Sequence, residues 1–195
     1  MNTKVTGAFA MMLALIVATS CYADPKLEIG AKAPDFSGVG VDDKTYELSS
    51  FSDAKALVVV FTCNHCPVAK AYEDRLIKLQ KDYKDKKVRL VAISVNDRDG
   101  DRLPGMKKRA KDKGFNFPYI YDESQKSGRA YGATCTPHVF LLGPKRKVAY
   151  QGAIDDNNNP KKVEKHYLRD AIDAVLAGEE VPEKVTRQRG CSIKW

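Results

Sequence analysis

The segment Cys63-Asn64-His65-Cys66-Pro67 is where residue type and spacing speak most directly of chemistry. Two cysteines three positions apart can close a small disulfide, one at the end of a strand and the other in the first turn of a helix. A helix N-terminus carries unpaired N–H groups and a partial positive charge, which favour a thiolate and depress a cysteine pKa. His65, just before the second cysteine, can add positive charge or a hydrogen bond to that thiolate. Stabilising the reduced form makes such a pair a stronger oxidant, with about 30 mV of potential for every 1.4 kcal/mol. The competing readings are a structural disulfide and half of a zinc site. Zinc wants four ligands, and no second close Cys/His pair exists here.

Thr134-Cys135-Thr136-Pro137-His138 forms a second landmark. A proline that opens a strand after a helix-ending glycine predicts a cis peptide, here Thr136-Pro137. His138, following the proline, could converge with Cys63 and Cys66 on one soft ion such as copper; the plainer reading is a strand-edge side chain packed near the cysteines. His166, on the last helix, reads as a surface residue.

The fate of the other cysteines depends on compartment. Met1 to Lys4 is a short positive start, Val5 to Ala18 an apolar run, and small residues lead on to Tyr22-Ala23-Asp24. This is the three-part layout of a secretory signal peptide over residues 1–23, cut after Ala23. The alternatives are a lipid anchor on Cys21, whose preceding residues lack the usual leucine, and a buried N-terminal helix. Export places the protein in the periplasm or outside the cell, where disulfides persist. Two thiols left over there are expected to pair, so Cys135 and Cys191 are expected to form a disulfide that staples the tail. The segment from Pro182 to Trp195 can reach roughly 40 Å when extended, enough to cross a small domain. The alternatives are a relay, with Cys135 or Cys191 exchanging with Cys63/Cys66, and a free buried thiol.

Several function classes fall to composition. The 195 residues carry 33 Lys+Arg against 25 Asp+Glu, a formal +8 that becomes +7 once Lys4 leaves with the signal segment. The lysines are interleaved with acids along helical faces, without an aromatic-plus-basic stripe, so the charge reads as a solvated surface rather than a nucleic-acid site. At 43% hydrophobic and 30% charged residues, the chain suits one globular domain. No apolar run reaches the roughly 18 residues of a transmembrane span.

The elements that must position the cysteines follow from periodicity. Ala56 to Phe61 is a continuous β-branched and apolar run, the pattern of a strand buried on both faces. Val68, Tyr72, Leu76, Leu79 and Tyr83 then recur at helical spacing from Pro67 onward. Val88 to Val95 reads as a second buried strand, and Leu103 to Lys113 as a helix ended by Gly114. A short helix over Ser124 to Tyr131 closes at Gly132. Two strands, Val139 to Leu142 and Lys147 to Gln151, flank the Gly143-Pro144 turn. A last helix runs from about Lys161 to Ala177, after a linker-like Asp155 to Pro160. The expectation is an α/β fold: a mixed central sheet flanked by helices, with an N-terminal extension, a domain over residues 24–180 and a C-terminal tail over 181–195.

With these motifs in place the chain resembles the thioredoxin superfamily, and more narrowly its secreted peroxiredoxin-like (AhpC/TSA-redoxin type) branch that carries a C-x-x-C. The resemblance covers roughly Leu27 to Gly178, with Ile29-Gly30-Ala31-Lys32-Ala33-Pro34-Asp35-Phe36, the C-x-x-C and Thr136-Pro137, and it includes the closing Arg189-Gly190-Cys191-Ser192-Ile193-Lys194-Trp195. It implies a thioredoxin-like fold, with Cys63 as exposed nucleophile, Cys66 as resolving thiol, and Thr136-Pro137 shaping a substrate groove. The implied activity is thiol-disulfide exchange with protein or small-molecule thiols and a separate electron donor or acceptor, without a cofactor. Thiol peroxidase and copper-handling metallochaperone are the alternatives. Peroxiredoxins place a Thr three residues and a Pro seven residues before the peroxidatic cysteine. Val60 and Ala56 stand there before Cys63, and Cys63 and Val59 before Cys66. Where thioredoxins carry a tryptophan and a buried acid, this chain has Thr62 and Leu57.

Overall fold

The computed structural model describes residues 27–195. The signal-peptide reading of residues 1–23 and the anchor at Cys21 lie outside the described residues. The elements run β1 (Ser37–Gly40), β2 (Thr45–Glu47), β3 (Ala56–Phe61), α1 (Pro67–Tyr83), β4 (Val88–Ser94), α2 (Leu103–Lys113), β5 (Tyr119–Tyr121), α3 (Lys126–Tyr131), β6 (Cys135–Thr136), β7 (His138–Leu142), β8 (Val148–Gly152), α4 (Tyr167–Ala177) and β9 (Cys191–Ser192). Seven strands form one mixed sheet in the order β2-β1-β5-β4-β3-β7-β8, while β6 and β9 pair apart from it. β3 lies parallel to β4 and antiparallel to β7, so its ladder is filled on both sides.

Alternation along β3 divides the core. Ala56, Val58 and Val60 face Tyr72, Leu76, Leu79 and Tyr83 of α1 and Leu168, Ala171 and Ile172 of α4. Leu57, Val59 and Phe61 face the other way, onto Phe36, Phe51, Tyr131 and Ile193. Both faces of β3 are therefore covered, which is why its sequence is an unbroken apolar run. The second layer draws on the segment before β1, on α3 and on Ile193 of the tail. Gly114 and Gly178 close α2 and α4 at φ of +67° and +75°, a conformation that costs a glycine little.

Two expectations shift. The last helix begins at Tyr167 rather than near Lys161. Asn159 caps a short turn at the Lys161 N–H (3.0 Å), and Asp156 takes the Glu164 N–H (3.1 Å), which pins the chain short of a helix. The linker-like segment is also clamped. Asp155 is buried and accepts from Tyr72 Oη (3.0 Å), while Arg75 donates to Asp155 and to the carbonyls of Asn157 and Asn158. Among the described residues no helix is long and apolar enough to cross a membrane.

Candidate active site

The end of β3 and the start of α1 bring the two cysteines together. Cys66 is the N-cap of α1, with Pro67 in the first turn, and its Sγ accepts the Ala69 N–H at 3.4 Å. A proline there costs no hydrogen bond, because the first N–H groups of a helix are unpaired anyway. Thr136 meets both sulfurs. Its hydroxyl lies 3.1 Å from Cys63 Sγ, and its carbonyl accepts from the Cys66 thiol at 3.2 Å. The Thr136-Pro137 peptide is cis.

The protons on this pair are unequally held. The Cys63 thiol donates to the Cys66 sulfur, which also receives the Cys191 thiol and the N–H groups of Ala69 and Cys191. Together these hold Cys66 well below the ordinary thiol range, against its burial. The same Cys63–Cys66 hydrogen bond pushes Cys63 far up, reinforced by burial and the Asp101 charge and opposed by the Thr136 hydroxyl. The exposure expected of Cys63 is absent: it is 2% exposed and Cys66 0%. The tail closes them in, for Cys191 packs on the cluster of Cys63, Cys66 and Ala69.

A buried acid beside the cysteines went unread in the sequence. Asp101 is fully enclosed, and its Oδ1 accepts the N–H groups of Asn64 (2.7 Å) and His65 (3.0 Å). Its Oδ2 pairs with His65 Nδ1 and takes Asn96 Nδ2 at 3.3 Å. Asn64 is held in turn by the Gly100 carbonyl (2.5 Å) and by Tyr119 Oη (3.1 Å). The residues between the cysteines are thus anchored to the loop after β4. A signal existed, since β3 and β4 are parallel and end on the same sheet edge. The acid-rich run 97–101 therefore had to emerge next to Cys63.

Two arrangements differ from expectation. Cys135 and Cys191, expected as a staple, are free in this structure, as Cys63 and Cys66 are. In the β6–β9 ladder Cys135 stands opposite Ser192, and Thr136 opposite Cys191. Successive residues of a strand face opposite sides, so the two cysteines point apart. Cys135 Sγ instead meets the Pro137 carbonyl at 3.8 Å, and burial raises its pKa. The soft-ion set of Cys63, Cys66 and His138 does not assemble either. His138 lies on the sheet face away from α1, its ring 4.6 Å from that of Phe140. The cluster brought together among the described residues is Cys63, His65 and Asp101, with ligand atoms all within 4.8 Å of one another. His166 is exposed, as expected. Beside Pro137 opens a cavity of about 480 Å³, lined by Val68, Tyr72, Asp155, Arg187 and Arg189 among others.

A mixed sheet with a C-x-x-C at a strand-to-helix corner, facing a cis-proline loop, defines a thioredoxin-like redox fold. The AhpC/TSA family model matches residues 29–151, and the chain belongs to that family. Thiol-disulfide oxidoreductase ResA of Bacillus thuringiensis is 26% identical over 125 residues, which cover 64% of this chain and 69% of the relative. Among solved structures, an uncharacterized conserved protein from Geobacillus kaustophilus superposes with a TM-score of 0.82 at 40% identity, covering 87% of this chain and 93% of that one. A putative thiol:disulfide interchange protein DsbE from Chlorobium tepidum shares the fold, with a TM-score of 0.66 at 24% identity over 77% of this chain and 99% of that one.

Proposed function

We propose that this protein is an exported thiol-disulfide oxidoreductase that works through Cys63 and Cys66. The observation that carries this reading is the meeting of both sulfurs on Thr136, beside cis-Pro137: its hydroxyl lies 3.1 Å from Cys63 Sγ and its carbonyl 3.2 Å from Cys66 Sγ. The relatives named thiol-disulfide oxidoreductase support it, and the three-part leader supports export. Cys63, buried like Cys66, faces a hydroxyl that can donate to a thiolate. It attacks a substrate disulfide, giving a mixed disulfide and a leaving thiol. Cys66, whose negative charge is already stabilised, then attacks Cys63 Sγ, closes the Cys63–Cys66 disulfide and frees the second substrate thiol. The reverse sequence oxidises substrate thiols.

Cys63→Ser should abolish exchange with an aromatic disulfide that releases a coloured thiol, whereas Cys66→Ser should accumulate a mixed disulfide visible by mass. Full activity in Cys63→Ser, with loss but no trapping in Cys66→Ser, would reverse the two roles. The potential of the pair sets its direction. A value near about −270 mV marks a reductant and about −120 to −180 mV an oxidant or isomerase.

A further inference from the structure

We propose that Cys191 is a third redox-active thiol, which exchanges with Cys66 once the Cys63–Cys66 disulfide has formed. This rests on the reading of Cys63/Cys66 above and gives that pair a partner inside its own chain.

The tail that carries Cys191 is fixed on both sides of it. Upstream, Lys184 and Thr186 pair with the backbone of Gln151 (3.0 Å each), and the Thr186 hydroxyl meets Tyr150 Oη at 2.5 Å and the Ala153 N–H at 2.9 Å. Downstream, the Lys194 N–H donates to Asn96 Oδ1 (2.7 Å), the Asp97 N–H donates to the Lys194 carbonyl (3.0 Å), and Arg129 lies 4.3 Å over the Trp195 ring. Between these anchors, Gly190 passes so close to β6 that a Cβ would overlap the Thr136 carbonyl. The register then sets Cys191 opposite Thr136, the residue whose hydroxyl and carbonyl touch the two active-site sulfurs. Directly paired residues share a face, so the Cys191 side chain points at the pair. It packs against the cluster of Cys63, Cys66 and Ala69. Cys135, one residue along β6, faces away.

The exchange is redox-neutral. The Cys191 thiol loses its proton, and its sulfur attacks Cys66 Sγ of the Cys63–Cys66 disulfide. The Cys66–Cys191 bond forms as the Cys63–Cys66 bond breaks, and its electron pair leaves on Cys63, which takes up a proton. One disulfide replaces another, and Cys63 is free again while the oxidising equivalent rests on the tail. The surroundings favour this order of events. In the reduced protein burial, followed by the hydrogen bond and charge of Cys66, lifts Cys191 to about 11. Oxidation of the pair removes the Cys66 charge, and Cys191 becomes easier to ionise when its target exists.

The test maps disulfides in the full mature chain, oxidised with glutathione buffers of graded potential, quenched with acid and digested without reduction. Wild type is expected to give Cys63–Cys66 together with Cys66–Cys191 linked peptides. Cys63→Ser should give Cys66–Cys191 alone, and Cys135→Ser the wild-type pattern. A Cys63–Cys66 link in wild type with Cys191 fully alkylated, and no Cys66–Cys191 link in oxidised Cys63→Ser, would overturn the third thiol and leave the pair standing. Absence of any Cys63–Cys66 link at oxidising potentials would overturn both readings.

Discussion

Asp101 and His65 are coupled beside Cys63. The Asp101 carboxylate raises the Cys63 pKa, and a hydrogen bond from His65 Nδ1 draws on that carboxylate's charge. Asp101→Asn should therefore lower the Cys63 pKa, and His65→Ala should raise it and make the pair less oxidising. Thiolate absorbance near about 240 nm, followed against pH, reads both shifts; movement in the same direction would contradict the arrangement. Asp101→Ala should in addition cost about 1–3 kcal/mol of stability, because it strands the half-buried N–H groups of Asn64 and His65. The split between a lowered Cys66 and a raised Cys63 predicts a second property. Across the pH range between the two, reducing the disulfide takes up one proton rather than two. The potential should then fall by about 30 mV per pH unit rather than about 60, as equilibration with glutathione at several pH values would show. The cysteine spacing, His65 and the cis-proline were legible in the sequence. Asp101 was overlooked, because its loop has no periodicity of its own and only the parallel β3–β4 pairing points that loop toward Cys63.

Short elements decide how open the site is. β9 has two residues and is held by its fit against β6, where Gly190 leaves no room for a side chain. Gly190→Ala should dislodge the tail. The expected signs are a red shift in the fluorescence of Trp195, the single tryptophan, and faster alkylation of Cys63 and Cys66, with a loss of about 1–3 kcal/mol. Unchanged alkylation would mean that the tail does not shield the thiols. The long elements were readable: β3 and α2 run between the residues that periodicity gives. β1, β2, β5, β6 and β9 were not, since two to four residues carry too little alternation to stand out from a loop. The register that sets Cys135 opposite Ser192 and Cys191 opposite Thr136 was hidden for the same reason. Without β6 and β9 there was no register to show the two thiols on opposite faces.

At the scale of the whole molecule, the sequence reading of a mixed α/β sheet holds, while the use of the tail as part of the second core layer appears only in three dimensions, through Ile193. The excess of basic over acidic residues acts at a distance, where charge changes encounter rates more than affinity. Exchange with oxidised glutathione, an anion, should slow as salt rises from about 0.02 to 0.2 M, and exchange with neutral hydroxyethyl disulfide should not. Equal salt dependence would remove steering. The long separation in sequence between the C-x-x-C and Cys191 also has a consequence in time. A chain is made from its N-terminus at about 5–20 residues per second, so Cys63 and Cys66 emerge seconds before Cys191 exists. Until Cys191 is made, the corner therefore carries Cys63 and Cys66 without the tail that shelters them.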